Sequence, residues 1–299
     1  MFDYHRYRFK WWRAKYIVPK YPVHVDLELS SHCNLKCGFC LHSAPQLDFE
    51  KKFMAIDLYS KVVKNIAGRV PSIKLNLRGE STLHPDFSEM LKYLQFFYFI
   101  DVRLNTNGNY PTELNEVIAR HCRQVIFSVD AGNPDTYRSI KGGGSLWTVH
   151  SNVNIMTTFL NKKGYRLKDI TLSFVETAAN SHEREGFTYW WENYPVKLFI
   201  RPAMDRKHGD RSEFKGRKNC YMANRRLVVA ADGSVFPCCV AWHKPFLVVG
   251  DANNESLIDI WGNTKMQSLR NKLANIEYYD YVGSLPTACK NCDSRESYT

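Results

Sequence analysis

The chain has 299 residues, of which 44% are hydrophobic and 24% are charged, and its formal net charge is +11. This composition is that of a folded globular protein and excludes an intrinsically disordered one. Apolar runs such as residues 96–100 are too short to span a membrane, and the charged, aromatic N-terminus lacks the apolar core of a secretory signal. These features predict a cytoplasmic protein.

Short apolar runs alternate with helical patterns over the first two thirds of the chain. Runs rich in Val, Ile, Leu and Phe predict six strands, at residues 23–29, 73–77, 102–105, 124–129, 170–174 and 197–201. Helices are predicted between them at residues 57–67, 85–97, 111–121, 146–161 and 182–193, and one more near 257–273. This α/β alternation is typical of a parallel sheet, either a partial (β/α)6 TIM-like barrel or an open doubly wound sheet.

Nine cysteines are many for a chain expected in a reducing compartment, where clustered cysteines bind metal more often than they form disulfides. Three of them follow the first predicted strand with the spacing Cys33-x3-Cys37-x2-Cys40. Three thiolates on one loop leave one iron of a [4Fe–4S] cluster open, which is what a catalytic metal site needs. From the residues alone, a Cys3His zinc site with His32 or His42 is the alternative.

The three cysteines, with the aromatic Phe39 before the third, resemble the signature of the radical S-adenosylmethionine (SAM) superfamily. The resemblance implies that the open iron binds the amino and carboxylate groups of SAM. It implies that one electron then cleaves SAM to a 5′-deoxyadenosyl radical, which abstracts a hydrogen atom from a substrate. It favours the partial barrel over the open sheet and assigns that barrel to residues 23–202.

Further fragments that resemble the family follow the later strands in order. Gly79 and Glu80 resemble the Gly-Gly-Glu segment that binds the SAM amino group, with Arg78 in place of the first glycine. The other SAM contacts that the resemblance implies are Asn105 and Thr106 after the third strand, Ser128 and Asp130 at the end of the fourth, and Arg138 or Lys141 for the carboxylate. The match extends over the whole predicted barrel.

A second group of cysteines comprises Cys220, Cys238, Cys289 and Cys292. Residues 228–235 predict a β-hairpin that turns at Asp232-Gly233, which would bring Cys238 back beside Cys220. The pattern resembles the auxiliary-cluster domains called SPASM and twitch, and implies a fully ligated auxiliary [4Fe–4S] cluster in a small cysteine-rich domain at residues 220–299. Structural zinc is the alternative for the same four thiols.

Two cysteines remain outside these groups. Cys239 is adjacent to a predicted ligand. One interpretation is a thiol that donates a hydrogen atom to a substrate radical, as in radical epimerases that this protein resembles. The alternatives are a small buried residue or an alternative cluster ligand. Cys122 is interpreted as a core residue.

The positive charge is concentrated in two segments. Residues 1–22 form a basic, aromatic N-terminal extension with six Lys or Arg and one acid, whereas residues 201–226 carry nine Lys or Arg and three acids. The second segment includes a basic linker, residues 203–219, and we expect Arg201, Arg206 and Arg211 to help bind an anionic substrate. A solvated linker without a binding role is the alternative. The extension is expected to pack on the floor of the barrel, and peripheral contact with a membrane or with nucleic acid stays an alternative.

The sequence therefore predicts a radical SAM oxidoreductase or epimerase that acts on a polar, anionic small molecule of the sugar, cyclitol or nucleotide-sugar type. Its architecture resembles that of the aminocyclitol dehydrogenases of antibiotic biosynthesis, which carry a twitch-type extension. A flavodoxin or ferredoxin is the expected reductant. The alternatives are modification of a ribosomally made peptide and, in another class, a zinc-containing nucleic-acid-binding protein.

Overall fold

One sheet organises the part of the chain that the computed structural model describes, namely residues 4–43, 49–203, 219–243 and 247–286, with Cys289 and Cys292. Its strands are β1 (His24–Leu27), β2 (Ser72–Lys74), β3 (Asp101–Thr106), β4 (Gln124–Ser128), β5 (Asp169–Glu176), β6 (Lys197–Pro202), β7 (Arg226–Val229), β8 (Ser234–Phe236) and β9 (Gly250–Asp251). They lie in the order β6-β5-β4-β3-β2-β1-β7-β8-β9.

The described part of the chain also contains α-helices. They are α1 (Tyr4–Arg13), α2 (Ile56–Ile66), α3 (Phe87–Tyr93), α4 (Leu114–His121), α5 (Pro134–Lys141), α6 (Leu146–Phe159), α7 (Arg184–Trp191), α8 (Leu257–Gly262), α9 (Thr264–Ala274) and α10 (Ile276–Tyr281). Neighbouring strands from β1 to β6 are all parallel, with helices in the connections. The prediction of an α/β fold with a partial barrel is confirmed.

The hairpin of the cysteine-rich segment belongs to the same sheet. Strands β7 and β8 are antiparallel around Asp232-Gly233, as predicted. In addition β7 runs parallel to β1 over its whole length, from the pair His24 and Arg226 to the pair Leu27 and Val229. The segment that carries the second group of cysteines is therefore joined to the barrel by backbone hydrogen bonds.

Several helix bounds differ from the predicted ones for local reasons. The single helix predicted near residues 257–273 is two helices, because Asn263 ends α8 and its side chain accepts a hydrogen bond from the Met266 N–H at 2.9 Å to start α9. Helix α5 was not predicted; it begins after Asn133, whose side chain accepts from the Asp135 N–H. Helix α1 was not predicted either, since its aromatic and basic residues follow no simple apolar stripe.

The two faces of the parallel sheet differ in chemistry. Residues such as Val25, Ile73, Leu104 and Phe127 are fully buried against the helices. The opposite positions, which face the inside of the barrel, carry polar side chains, and the register aligns Asp26 with Lys74 and Lys74 with Arg103. A polar interior can bind polar ligands at the open end of the barrel. The charged side chains near the closed end must be paired with opposite charges, because an unpaired charge is costly to bury.

The floor of the barrel is such a set of paired charges. Asp26 is completely buried and contacts Lys74 at 3.3 Å, Arg226 at 2.9 Å and His24 at 3.3 Å. Burial alone would raise the pKa of Asp26, but Arg226 and Lys74 hold it well below its usual range. The carboxylate is therefore ionised, and the neighbouring cations are needed to keep it in the fold.

Helix α1 closes this floor. Tyr7 is buried under the Arg103 guanidinium, which lies 4.8 Å from the ring centroid, and Trp11 packs edge-on against His24. The Arg225 side chain donates from Nε to the Trp11 carbonyl at 3.0 Å. The expectation that the basic extension packs on its own domain holds for this inner side of the helix.

Protonation of His24 gives the fold a measurable pH dependence. Burial lowers its pKa from 6.5 to about 4, so the unfolded chain takes up a proton that the folded chain does not. Stability is therefore lost as the pH falls from the unfolded pKa towards the folded one, by about 1 kcal/mol at about pH 5.5. We expect His24→Gln to flatten the fall in Tm between neutral pH and that point, whereas His182→Gln, at an exposed site, should leave the wild-type slope. Equal slopes for all three proteins would contradict this assignment.

Within the described residues, no helix is both long and apolar enough to cross a membrane.

Candidate active site

The first cysteine loop lies at the carboxyl end of β1, on top of the C-terminus of α5. The Lys36 N–H donates to the Lys141 carbonyl at 2.9 Å, and the Gly38 N–H donates to the Ile140 carbonyl at 3.1 Å. Gly142 makes this approach possible, because a Cβ there would lie 2.5 Å from the Lys36 carbonyl oxygen and its φ is +62°. The backbone of α5 thus fixes the loop on which Cys33, Cys37 and Cys40 sit.

The three thiols of this loop form one half-buried group. Burial raises the pKa of Cys37 to about 11; the Lys141 ammonium opposes this rise, and the Cys40 and Cys33 thiols add to it. Burial also raises the pKa of Cys33. Iron binding would therefore displace protons from the Cys33 and Cys37 thiols, which are neutral without it.

Lys141 and Asp130 form a buried ion pair directly beneath the loop. Burial alone would lower the pKa of Lys141, but Asp130 outweighs it and the net direction is upward. The other Asp130 oxygen accepts from the Val175 N–H at 2.6 Å, and the Asp130 carbonyl accepts from Asn180 at 2.7 Å. These bonds hold Asp130 at a φ of 62°, which few residues other than glycine adopt.

Lys141 also faces two rings of the site. Its Nζ lies 5.7 Å from the centroid of Phe39 and 6.0 Å from that of Tyr137. Of the two basic candidates on α5, Lys141 is therefore the one beside the cysteines. Arg138 lies on the outer side of the helix, with its side chain 70% exposed and 3.5 Å from Asp135.

Glu80 joins the second and third strand ends. Its buried carboxylate accepts from the Thr106 hydroxyl at 3.0 Å, from the Asn107 N–H at 2.7 Å and from the Thr82 hydroxyl at 2.8 Å. Burial raises the pKa of Glu80, against the pull of these bonds. A cationic amino group at this point would complete the pairing of the carboxylate, as the resemblance implies for SAM.

Asn105 and Ser128 occupy interior positions of β3 and β4. The side-chain oxygen of Asn105 is buried and has no hydrogen-bond partner among the described residues, and the same is true of Asn76 beyond β2. Ser128 is half-buried and pairs in register with Ser173 of β5. The upper interior of the barrel thus combines unpaired amide oxygens with hydroxyl groups.

The segment that contains Gly79 and Glu80 contacts the cysteine loop at Gly79. A Cβ on Gly79 would lie 2.3 Å from the His32 carbonyl oxygen and 2.6 Å from that of Ser30, and the next N–H, of Glu80, donates to the His32 carbonyl at 2.8 Å. We expect Gly79→Ala to lower the free energy of unfolding by about 1–3 kcal/mol and to reduce SAM binding. The reason is that the nearest atoms to the new Cβ belong to the backbone, so the clash could be relieved only by a shift of the backbone.

Gly186→Ala is the matched control for this substitution, since a Cβ there meets nothing within 4 Å. SAM binding by equilibrium dialysis and the thermal midpoint would measure both effects. Normal SAM binding by Gly79→Ala would show that the segment does not hold the loop in place.

An ion pair that was not predicted from the sequence lies between the two cysteine groups. The carboxylate of Glu28 is fully buried and accepts from Nε of Arg78 at 2.7 Å, in a bidentate pair, and from the Ala231 N–H at 3.0 Å. The guanidinium lies 4.6 Å from the Phe49 ring centroid and 5.5 Å from that of Trp242. The position of Glu28 on the interior side of the first predicted strand was the signal available in the sequence.

The four cysteines of the second group line one small cavity. Cys220, Cys238, Cys289 and Cys292 form part of its wall, and apolar residues such as Leu247 and Leu273 form the rest. Burial raises the pKa of Cys238 well above its usual value, and Cys239 and Cys220 add to the rise. Cys239 is half-buried beside this wall but is outside the described lining.

Both groups have the donors of an iron–sulfur cluster. In the described part of the chain, no three Cys, His, Asp or Glu side chains are arranged to hold a single metal ion. A [4Fe–4S] cluster takes thiolate ligands, each on a separate iron atom. Three thiols in one loop and four around one apolar cavity therefore fit the two implied clusters.

Comparison with known families identifies this architecture. The family described as "Radical SAM superfamily" matches residues 27–159, which include the cysteine loop, Glu80 and Lys141. The chain is a radical SAM enzyme. A second family, described as an iron–sulfur cluster-binding SPASM domain, matches residues 220–293. The cofactors of this radical SAM enzyme are accordingly SAM, the SAM-binding [4Fe–4S] cluster and an auxiliary iron–sulfur cluster, and the zinc interpretation is not supported.

Curated relatives match part of this radical SAM enzyme. A protein of Methanococcus maripaludis named "Probable GTP 3′,8-cyclase" is 30% identical over 132 residues, which are 42% of this chain and 43% of that protein. The radical SAM chain thus matches less than half the length of this curated relative.

Solved structures resemble the radical SAM chain over most of its length. BtrN in complex with AdoMet and 2-DOIA superposes with a TM-score of 0.57 and 17% identity, covering 91% of this chain and 93% of that one. Native anSMEcpe with bound AdoMet superposes with a TM-score of 0.65 and 15% identity, covering 83% of this chain and 82% of that one. At these identities the likeness establishes the fold.

The structure describes one of the three arginines that we expect to bind the substrate. Arg201 is half-buried near the end of β6 and pairs in register with Val175 of β5. Arg206 and Arg211 lie outside the described residues.

Proposed function

We propose that this radical SAM enzyme abstracts a hydrogen atom from a polar, anionic small molecule of the sugar, cyclitol or nucleotide-sugar type and oxidises or epimerises it. The domain limits that go with this proposal are an extension at residues 1–22, a barrel at 23–202, a linker at 203–219 and a SPASM or twitch domain at 220–299.

The observation that supports this substrate class is the polar lining at the carboxyl ends of the strands. Ser128 and Ser173 are paired neighbours on the interior side of β4 and β5, and the same alternation puts Arg201 of β6 on that side. Hydroxyls and a guanidinium suit hydroxylated, negatively charged molecules better than apolar ones. The polar pair of Glu28 and Arg78 lies at the opposite wall of the barrel.

Each group of residues has a distinct task in this proposal. Cys33, Cys37 and Cys40 hold the first cluster, and Cys220, Cys238, Cys289 and Cys292 hold the auxiliary one. When bound, the first cluster supplies the electron that cleaves SAM to methionine and a 5′-deoxyadenosyl radical, and the auxiliary cluster supplies a site for electron transfer. Glu80 binds the SAM amino group, Asn105 and Ser128 offer hydrogen bonds within the barrel, and Lys141 keeps the loop in position.

Two outcomes follow hydrogen abstraction, which breaks a substrate C–H bond and forms one in 5′-deoxyadenosine. In oxidation, the substrate radical would give one electron to the auxiliary cluster and one proton to solvent, so that a carbinol becomes a carbonyl. In epimerisation, the Cys239 thiol gives its hydrogen atom to the opposite face of the substrate radical. The thiyl radical then takes one electron from a reductant of the flavodoxin or ferredoxin class and one proton from solvent.

A substrate panel tests this proposal. Reconstituted enzyme, dithionite and SAM would be incubated with aminocyclitols, nucleotide sugars and peptides, and formation of 5′-deoxyadenosine above the substrate-free level would be measured. We expect stimulation by anionic sugars, with a KM that rises about tenfold or more in Arg201→Glu while both clusters remain. Stimulation by peptides alone would establish the alternative.

Cys239→Ala distinguishes the two outcomes once a substrate is known. If the enzyme epimerises, this variant should still consume SAM but lose solvent-deuterium incorporation into the product. Cys122→Ala is the matched control, because Cys122 is fully buried in the core. Unchanged deuterium incorporation in Cys239→Ala would exclude the thiol as the hydrogen donor.

A further inference from the structure

The N-terminal segment, residues 4–22, presents an outer surface that the proposed reaction does not use. Its inner side is fixed by buried Tyr7 and Ala14 and by the bond from Arg225 to the Trp11 carbonyl. Its far end is fixed by Trp261, whose indole N–H donates to the Pro19 carbonyl at 2.9 Å. The backbone that carries the outer side is therefore anchored to the barrel, so that binding of a partner would order less of the chain.

The outer side of this segment is an aromatic and aliphatic ridge. Phe9, Trp12 and Tyr16 are 57%, 56% and 65% exposed, and Ile17 and Val18 continue the ridge at 54% and 43%. The rings touch one another in series, with centroids 6.0 Å apart for the first pair and 5.3 Å for the second. Such a contiguous exposed apolar patch marks an interaction site.

A cationic cavity adjoins the ridge. It has a volume of about 330 Å³, and its described lining includes Lys10, Arg13, Lys20 and Arg69 but no acidic residue. Ile17 and Val18 contribute to its apolar wall. Cations around an apolar recess suit an amphiphilic anion, with the negative group at the rim and hydrocarbon inside.

The ridge and the cavity lie at the amino ends of the strands, whereas the cysteine loop follows the carboxyl end of β1. Trp11 packs on the first residue of β1, and Pro71, just before β2, lines the cavity. A surface bound here would leave the mouth of the barrel open.

We propose that this face docks on an anionic lipid bilayer. The aromatic ridge enters the interfacial region, the basic residues pair with lipid phosphates, and the cavity holds one headgroup. Aliphatic Ile17 and Val18 gain nothing from stacking on bases, and Trp12 and Tyr16 meet edge to face, so the arrangement favours a bilayer over single-stranded nucleic acid.

Vesicle sedimentation with the reconstituted enzyme tests this proposal. Vesicles of phosphatidylcholine and phosphatidylglycerol in equal parts should bind the enzyme about tenfold or more tightly than phosphatidylcholine alone. The double variant Lys10→Glu with Arg13→Glu should remove that preference. Trp12→Ser with Tyr16→Ser should weaken binding to both vesicles, and brominated lipid should quench less fluorescence in Trp12→Phe than in wild type.

Two variants at the opposite end of the barrel serve as controls. Trp147→Ser removes a tryptophan that is also exposed, and Arg184→Glu reverses a charge near the carboxyl end of β5. Both should bind vesicles like the wild type, and all variants should keep their iron content. No binding of the wild type to anionic vesicles, or equal loss in the controls, would overturn the proposal. Binding of a single-stranded oligonucleotide through these residues without vesicle binding would overturn it as well.

Discussion

Replacement of Cys37 by alanine should remove about four of about eight irons per chain and abolish 5′-deoxyadenosine formation. The reason is that the first cluster has three candidate thiol ligands, all on one loop, and no spare cysteine on that loop can replace a lost one. Iron and sulfide analysis after anaerobic reconstitution, followed by an assay with dithionite and SAM, measures both effects.

The second group of cysteines gives the contrasting variant. Cys220→Ala should also lose about four irons, but it should still cleave SAM, since its cavity is separate from the cysteine loop. Cys122→Ala should keep about eight irons, because its thiol is in the core. If Cys220→Ala lost SAM cleavage and Cys37→Ala kept it, the two groups would have been assigned the wrong way round.

Replacement of Lys141 by methionine should destabilise the fold by about 3–5 kcal/mol. The substitution leaves the Asp130 carboxylate buried without its cation, at a backbone position that is already strained. Because the Lys141 and Ile140 carbonyls also accept hydrogen bonds from the cysteine loop, weaker SAM binding should accompany the loss. Denaturant unfolding of the cluster-free protein and SAM binding by the reconstituted enzyme would measure the two effects.

The double variant Asp130→Asn with Lys141→Met separates charge from packing. An asparagine oxygen can still accept from the Val175 N–H, and no charge remains to be neutralised, so most of the lost stability should return. A double variant as unstable as Lys141→Met would show that the pair acts through shape and not through charge.

The sequence predicted those parts of the site that local spacing encodes. The cysteine loop, the Gly79-Glu80 segment and the hairpin at Asp232-Gly233 each depend on residues within a short stretch, so a linear pattern records them. The paired strands from β1 to β6 were predicted for the same reason, since each strand and its following helix alternate regularly along the chain.

The remaining features depend on contacts between distant residues. Glu28 and Arg78 are 50 positions apart, and the Ala231 N–H that completes their cluster is 203 positions from Glu28. Tyr7 is buried in contact with Arg103, which is 96 positions away in the sequence. Likewise, the sequence predicted Arg138 and Lys141 equally as partners of the SAM carboxylate. The orientation of α5 exposes Arg138 and buries Lys141.

The pairing of β1 with β7 has a consequence for synthesis of the chain. The amino-terminal strand has one neighbour, β2, within the first 74 residues, but its other neighbour begins at Arg226. While the ribosome makes the intervening residues, one edge of β1 presents unpaired backbone groups, which invite pairing with other chains. Contacts of such high sequence separation slow folding, so nascent chains stay prone to aggregation until the hairpin emerges. A fragment that stops before β7 should accordingly aggregate, however complete its cysteine loop.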